Sequence, residues 1–197
     1  MTSEVGASHA PRFVQVRKGA LEQCLAPDIY TAQQGKICDY GWKMDFGRLL
    51  AFAGGKKQDI GQAVLYGSKP PPNDSLWTAA KKQGFEVVVH ERSKFSGREK
   101  KVDTSIATDV TADSFELMDP KKDEITLVAG DADYLPTIEG LRKRGFRFDV
   151  CFWDHAAKEL RDACSNFISL NGCLEHLRMK QGAAIEGRGT TSLGPRH

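Results

Sequence analysis

Short runs of apolar and β-branched residues alternate along the chain with longer segments whose apolar positions recur at helical spacing. The short runs predict strands at 60–68, 86–93, 124–130 and 147–153. The longer segments predict helices at 44–55, 75–83, 102–118, 133–144 and 156–170. This alternation predicts an α/β fold of three layers, in which helices cover both faces of a mostly parallel sheet.

The start of the chain has no convincing strand, and the first strand is expected either at Phe13–Val16 or near Cys24. With 197 residues and a mass of 21.7 kDa, the chain is long enough for one packed core. We therefore predict a disordered N-terminus at 1–12, one domain at 13–177 and a flexible C-terminal tail at 178–197, where no periodicity is visible.

The segment VAGDADYLP places two aspartates, Asp131 and Asp133, directly after the apolar run of the third predicted strand. Asp133 is expected to cap the following helix, since Pro136 is tolerated in a first helical turn. In open α/β sheets, ligands bind beyond the carboxyl ends of the strands. The two carboxylates are therefore expected to lie in a ligand-binding crevice, where they can take part in catalysis.

A third acid is predicted to reach the same edge of the sheet. Asp103 lies in the first turn of the helix that leads to this strand, on the apolar stripe formed by Ile106, Ala107, Val110 and Leu117. Six residues further on, Asp109 is turned about 120° around the helix axis and should flank the site. Asp103, Asp131 and Asp133 are expected to meet.

Three close carboxylates repel one another unless a cation neutralises them, and hard oxygen ligands suit Mg²⁺ or Mn²⁺. Such sites activate water for phosphodiester hydrolysis. The alternative is that the aspartates form a turn, an N-cap and a first-turn acid that never meet. The basic residues that precede Asp103 are either solvated or bind phosphates of a nucleic acid: Lys94, Arg98, Lys100 and Lys101.

Composition and charge leave most function classes open. The net charge of +2 neither requires nor excludes a nucleic-acid partner. No apolar stretch approaches the roughly 20 residues of a membrane span, and the polar N-terminus lacks the core of a signal peptide, so we expect a cytoplasmic protein. The five cysteines are expected to be reduced, and Cys173 with His176 lacks the second ligand pair of a zinc site. Glycine-rich nucleotide-binding loops are absent from the sequence.

Four segments together resemble the NYN domain family, the PIN-like group that includes LabA-type proteins: MDFGRLL, KKVDTSIATD, LVAGDADYLPTIEGLRKRGF and ELRDACSNFISL. The resemblance covers residues 41–171 and implies a Rossmann-like sheet with aspartates that bind Mg²⁺ or Mn²⁺ in a ribonuclease. It implies that Asp131 and Asp103 bind the metal directly and that Asp133 binds through water or orients the nucleophile. Asp109 matches another recurrent acid of the family.

The sequence departs from the family at its beginning, where the family has a strand that ends in an aspartate. Alignment of CLAPDIYTAQQ with that segment puts Leu25 at the position of the acid and Asp28 at the position of an asparagine. Either Asp28 replaces the missing ligand after a local shift of the chain, or the metal site is incomplete.

The resemblance implies a metal-dependent endoribonuclease that cuts RNA, with Tyr134 or Phe95 available to stack on bases. The alternative is a catalytically weak or inactive RNA-binding or regulatory protein of the same fold. A phosphatase or nucleotide hydrolase on a similar sheet is a weaker third reading. An isologous homodimer is the default expectation for the oligomeric state.

Overall fold

A six-stranded sheet forms the centre of the computed structural model, which describes residues 12–17, 42–68, 75–90 and 100–180. Its strands are β1 (Arg12–Arg17), β2 (Ile60–Ser68), β3 (Glu86–His90), β4 (Glu124–Val128), β5 (Arg147–Phe152) and β6 (Asn166–Ser169). The strand order is β3-β2-β1-β4-β5-β6, and every neighbouring pair is parallel. The predicted α/β class with a parallel sheet is confirmed.

Helices fill the connections between the strands, and one more helix follows the last strand. They are α1 (Phe46–Gly54), α2 (Ser75–Gln83), α3 (Lys100–Glu116), α4 (Leu135–Lys143), α5 (Lys158–Ala163) and α6 (Leu174–Leu177), with 3₁₀ turns at Lys57–Asp59, Ala132–Tyr134 and Asn171–Cys173. The chain moves outward from β1 to β3 and then returns to β4. Because parallel crossovers are right-handed, α1 and α2 cover one face of the sheet, and α3 and α4 cover the other.

The reversal of strand order lies between β1 and β4, which are neighbours in the sheet. Outside the carboxyl ends of these two strands is the crevice where ligands bind in folds of this kind. The side chains of β4 from Ile125 to Val128 are buried, so this strand is fixed in the core almost up to residues 130–134, GDADY, which we call the acidic segment. The carboxyl end of β4, where the ligand-binding crevice begins, is therefore rigidly supported.

Helix α1 shows how local sequence sets the boundaries of an element. Asp45 caps its N-terminus by accepting a hydrogen bond from the backbone N–H of Arg48 at 3.1 Å. Gly55 ends the helix with a φ of 81°, a left-handed conformation that favours glycine. The predicted helix over 44–55 is thus present, with boundaries set by a side-chain cap and a glycine.

The predicted helix over 156–170 is wrong in its second half. Helix α5 ends at Ala163, and Asn166–Ser169 instead forms β6 beside β5. Ser165 explains the change, because its backbone N–H donates to the carbonyl of Phe148 at 2.7 Å and its hydroxyl accepts from the N–H of Phe148 at 3.0 Å. Hydrogen bonding to the open edge of the sheet overrides the helical spacing of the apolar residues.

A smaller correction concerns the inward face of α3. Ile106 and Val110 are buried as expected, whereas Leu117 is 60% exposed. The helix ends at Glu116, so Leu117 lies beyond it and turns away from the sheet. Met118 takes the buried position instead.

The first strand is Arg12–Arg17, so of the two predicted locations the one at Phe13–Val16 is confirmed. The second location, near Cys24, lies outside the described residues. At the other end of the domain, the backbone N–H of Met179 donates to the carbonyl of Lys43, and Arg48 donates to the carbonyl of His176, both at 2.8 Å. The segment after α6 is thereby attached to the start of α1. The domain limits themselves stay predictions.

No helix within the described ranges is long and apolar enough to cross a membrane. The three cysteines in this part of the chain are free thiols, namely Cys151, Cys164 and Cys173.

Candidate functional site

The acidic segment after β4 is organised by Asp131. Its carboxylate accepts a hydrogen bond from the backbone N–H of Asp133 at 3.2 Å and caps the 3₁₀ turn Ala132–Tyr134, which continues into α4. The predicted N-cap at Asp133 is therefore wrong, because the capping side chain is that of Asp131, two residues earlier, and it caps the 3₁₀ turn that leads into the helix. The side chain of Asp133 is exposed and does not cap the helix.

Asp103 is held by the tyrosine of the same acidic segment. The hydroxyl of Tyr134 donates to Oδ1 of Asp103 at 2.6 Å, and Tyr134 is only 2% exposed. A buried phenol needs a hydrogen-bond partner, and a carboxylate is a strong acceptor. This contact joins the first turn of α3 to the segment after β4, as the topology predicts. The stacking role considered for Tyr134 is excluded by its burial.

Asp109 is held in the same way by a tyrosine from β2. Tyr66 is 1% exposed and hydrogen-bonds to Asp109, whose Oδ2 also accepts from the hydroxyl of Ser105 at 3.2 Å. Burial, and then the charge of Asp109 and the hydrogen bond to it, raise the pKa of Tyr66 above its ordinary value. The phenol therefore keeps its proton and acts as a donor.

Two open cavities lie on either side of the first turns of α3. The first, of about 700 Å³, is lined by Asp103 and Asp133 together with three threonines and two alanines of the helix: Thr104, Thr108, Thr111, Ala107 and Ala112. We call it the acidic cavity. The second, of about 440 Å³, contains His90 and Asp109 and shares Thr104 and Thr108 with the first. We call it the β3 cavity, because His90 ends that strand.

The predicted meeting of three carboxylates is not found. In the part of the chain that the structure describes, no three His, Cys, Asp or Glu side chains are grouped to hold a metal ion. The acidic cavity combines Asp103 with Asp133, whereas the carboxylate of Asp131 is turned back to cap its own segment and Asp109 lines the β3 cavity. Asp131 accepts a hydrogen bond from its own turn and Asp109 accepts one from Ser105, so only Asp103 and Asp133 share the acidic cavity.

The remaining sequence-predicted residues have mixed outcomes. Lys101 is exposed and lines the β3 cavity, and Lys100 begins α3. Asp28, Lys94, Arg98 and Phe95 lie outside the described residues, so their predicted roles stay predictions. Sequence reasoning missed Tyr66 and His90, and it missed the hydrogen-bonding role of Tyr134. A polar aromatic residue within an otherwise apolar strand, such as Tyr66, was the available signal.

The acidic cavity is chemically suited to Mg²⁺ or Mn²⁺. These ions take oxygen ligands, and Mg²⁺ is usually held by only one or two carboxylates together with water and phosphate oxygens. Asp103 and Asp133 supply the two carboxylates, and the neighbouring threonines are compatible with retained water. The donor set therefore fits such an ion.

The Tyr134 hydroxyl is expected to contribute measurably to stability through Asp103. Tyr134→Phe should lower the free energy of unfolding by about 1.5 kcal/mol, since it removes a hydrogen bond to a charged group. A double-mutant cycle with Asp103→Asn, measured by urea denaturation, isolates this contact. Additive effects of the two substitutions would show that the contact does not contribute.

The family model of the NYN domain matches residues 26–171. No curated protein matches the chain closely enough to count as a relative. The crystal structure of a protein of unknown function from Vibrio parahaemolyticus aligns with a TM-score of 0.61 at 17% identity, over 86% of this chain and 96% of that chain, which shows the fold alone. A de novo designed protein with a P-loop NTPase fold, solved by NMR, aligns at a TM-score of only 0.39 and 14% identity, over 85% of this chain and 89% of that chain. The family match spans most of the sequence and agrees with the segments that suggested it, so the chain belongs to the NYN domain family.

Proposed function

We propose that the protein is a metal-dependent endoribonuclease that hydrolyses RNA phosphodiester bonds at the acidic cavity. The observation that carries the proposal is the pairing of aspartates from two separate elements, Asp103 of α3 and Asp133 of the segment after β4, on one open cavity. The cavity lies at the carboxyl edge of a parallel sheet, where such folds bind ligands. The NYN domain family is a PIN-like nuclease family whose nucleases act on RNA, which supports the same function.

In this mechanism each residue has a separate task. Asp103 and Asp133 would hold Mg²⁺ or Mn²⁺, which supplies an activated water and neutralises charge on the scissile phosphate. Tyr134 fixes the carboxylate of Asp103 through the hydrogen bond that it donates to Oδ1. Asp131 maintains the turn that presents Asp133. Lys101, exposed one turn before Ser105, would contact the RNA backbone.

The test is cleavage of an end-labelled, mixed-sequence RNA in Mn²⁺ or Mg²⁺, with and without a chelator. Asp133→Asn is expected to lower the cleavage rate about 100-fold or more, because it removes one of the two carboxylates of the cavity. Glu116→Gln is the matched control, since this exposed acid lies at the opposite end of α3 and should leave the rate unchanged. Cleavage that continues in the chelator, or in Asp133→Asn, would contradict the proposal.

A second candidate function is RNA binding without cleavage. It is favoured by the central strand: β1 runs from Arg12 to Arg17 as RFVQVR and brings no carboxylate to the site edge. The absence of a three-acid group among the described residues points the same way. This alternative predicts RNA binding that persists in a chelator, together with intact RNA in every metal tested.

A further inference from the structure

We infer that the β3 cavity is a nucleotide subsite, which holds one nucleoside of the RNA strand next to the phosphate that occupies the acidic cavity. This inference rests on the proposed function and adds a second region of the protein, the β3 cavity, that contacts the RNA. The two cavities are adjacent, because both are lined by Thr104 and Thr108 on the outer side of α3. An RNA strand that crosses these two threonines therefore contacts both cavities.

His90 provides the first argument for a ligand. It ends β3 and lines the cavity, and its Nε2 is buried without a hydrogen-bond partner among the described residues. Buried polar atoms in native proteins are nearly always hydrogen-bonded, so an exception calls for a partner. An imidazole nitrogen either donates or accepts a hydrogen bond, and the edges of nucleobases supply both kinds of group.

The remaining lining favours a nucleoside over a free phosphate inside the cavity. Asp109 contributes a negative charge that repels a phosphate, while a carboxylate that already accepts from Tyr66 and Ser105 still has lone pairs for a base N–H. The hydroxyl of Thr108 suits the ribose 2′-hydroxyl, which both donates and accepts, and the Ser105 hydroxyl oxygen, whose hydrogen is donated to Asp109, can accept from the ribose. The cavity volume of about 440 Å³ falls in the range of small-molecule sites, roughly 300 to 1,000 Å³.

The positive charge of Lys101 at the β3 cavity suits the phosphate of a nucleotide whose base and ribose occupy that cavity. Lys101 is exposed on the first turn of α3 and lines the same cavity, so its ammonium group is available to the phosphate of the bound nucleotide. Lysine contacts to phosphate position a strand without selecting its sequence. The base and ribose are then recognised by His90, Asp109 and the hydroxyl groups.

The first test uses the unaltered protein and needs no cleavage. Titration with adenosine or uridine 5′-monophosphate, in the presence of a chelator, is expected to shift the imidazole NMR signals of His90. The signals of His176, which is exposed on α6, should remain unchanged. Unchanged His90 signals at saturating nucleotide would overturn the inference.

The second test measures RNA affinity by fluorescence anisotropy at fixed ionic strength, again with a chelator. His90→Ala and Lys101→Ala are each expected to weaken binding about tenfold, whereas the control His176→Ala should have no effect. Lys101 is exposed, so its variant folds even if His90→Ala is destabilised. Wild-type affinity in both variants would overturn the subsite and leave the nuclease standing. Absence of both RNA binding and cleavage in the unaltered protein would instead overturn the proposed function, and the subsite with it.

Discussion

Gly130→Ala is expected to lower the free energy of unfolding by about 3 kcal/mol, which is a large part of the stability of a small domain. A Cβ at this position would lie 2.0 Å from Cδ1 and 2.1 Å from Cε1 of Phe152, much closer than two carbon atoms can approach. Phe152 is 2% exposed in the core, so its ring has little room to move away. The backbone between β4 and Asp131 would have to shift instead.

Urea denaturation of Gly130→Ala and of Gly140→Ala provides the measurement and its control. Gly140 lies within α4, a Cβ there would meet no atom within 4 Å, and alanine should stabilise the helix by about 0.5 to 1 kcal/mol. Adding Phe152→Leu to Gly130→Ala should recover part of the loss. If Gly130→Ala unfolds at the wild-type urea concentration, Gly130 is not required for close packing at the acidic segment.

Arg147→Leu is expected to cost about 3 kcal/mol of stability although Arg147 itself is half-exposed. Its Nε donates to Oδ1 of Asp149 at 3.2 Å, and Asp149 is only 1% exposed. Removing the guanidinium leaves a buried carboxylate without its counter-charge, and breaking such a pair is much more costly than losing a surface ion pair. The pair lies at the amino end of β5, remote from the carboxyl edge that carries the acidic cavity.

The comparison variant is Lys158→Met, which breaks an ion pair to Asp162 in which both side chains are largely exposed. That substitution should change the free energy of unfolding by less than about 0.5 kcal/mol. Replacing both members of the buried pair, as Arg147→Leu with Asp149→Asn, should recover much of the loss. Equal effects of Arg147→Leu and Lys158→Met in urea denaturation would contradict the assigned role of Arg147.

The strongest periodic segments could be located from the sequence alone. The run EITLV forms β4, and the stripe of Ile106 and Val110 packs inward on α3, because apolar spacing reflects burial directly. β1 was harder to locate, since RFVQVR carries charges at both ends and yet occupies the centre of the sheet. β6 was missed because it has only four residues and no helix-breaking residue precedes it. The spacing of its apolar residues therefore does not distinguish it from a continuation of the helix.

The sequence predicted which edge of the sheet carries the site, but it did not predict the hydrogen bonds that the aspartates make there. The topology rule brings α3 and the segment after β4 together, and Asp103 and Asp133 do share a cavity. The rule does not specify that Tyr134 binds Asp103 or that Tyr66 binds Asp109, since these contacts depend on which phenols become buried. Nor does it specify that Asp131 caps its own turn, because a nearby backbone N–H competes with a distant ligand for the same carboxylate.

The position of β1 has a consequence for how the protein reaches its native state. Within the sheet, Arg12 is aligned both with Ile60 and with Glu124, so the central strand completes its pairing only after β4 has been synthesised. Contacts between segments this far apart in sequence require closure of long loops, which slows folding. Until β4 arrives, one edge of β1 presents unpaired backbone groups to other chains. Nascent and truncated forms that end before β4 should therefore be the species most prone to aggregate.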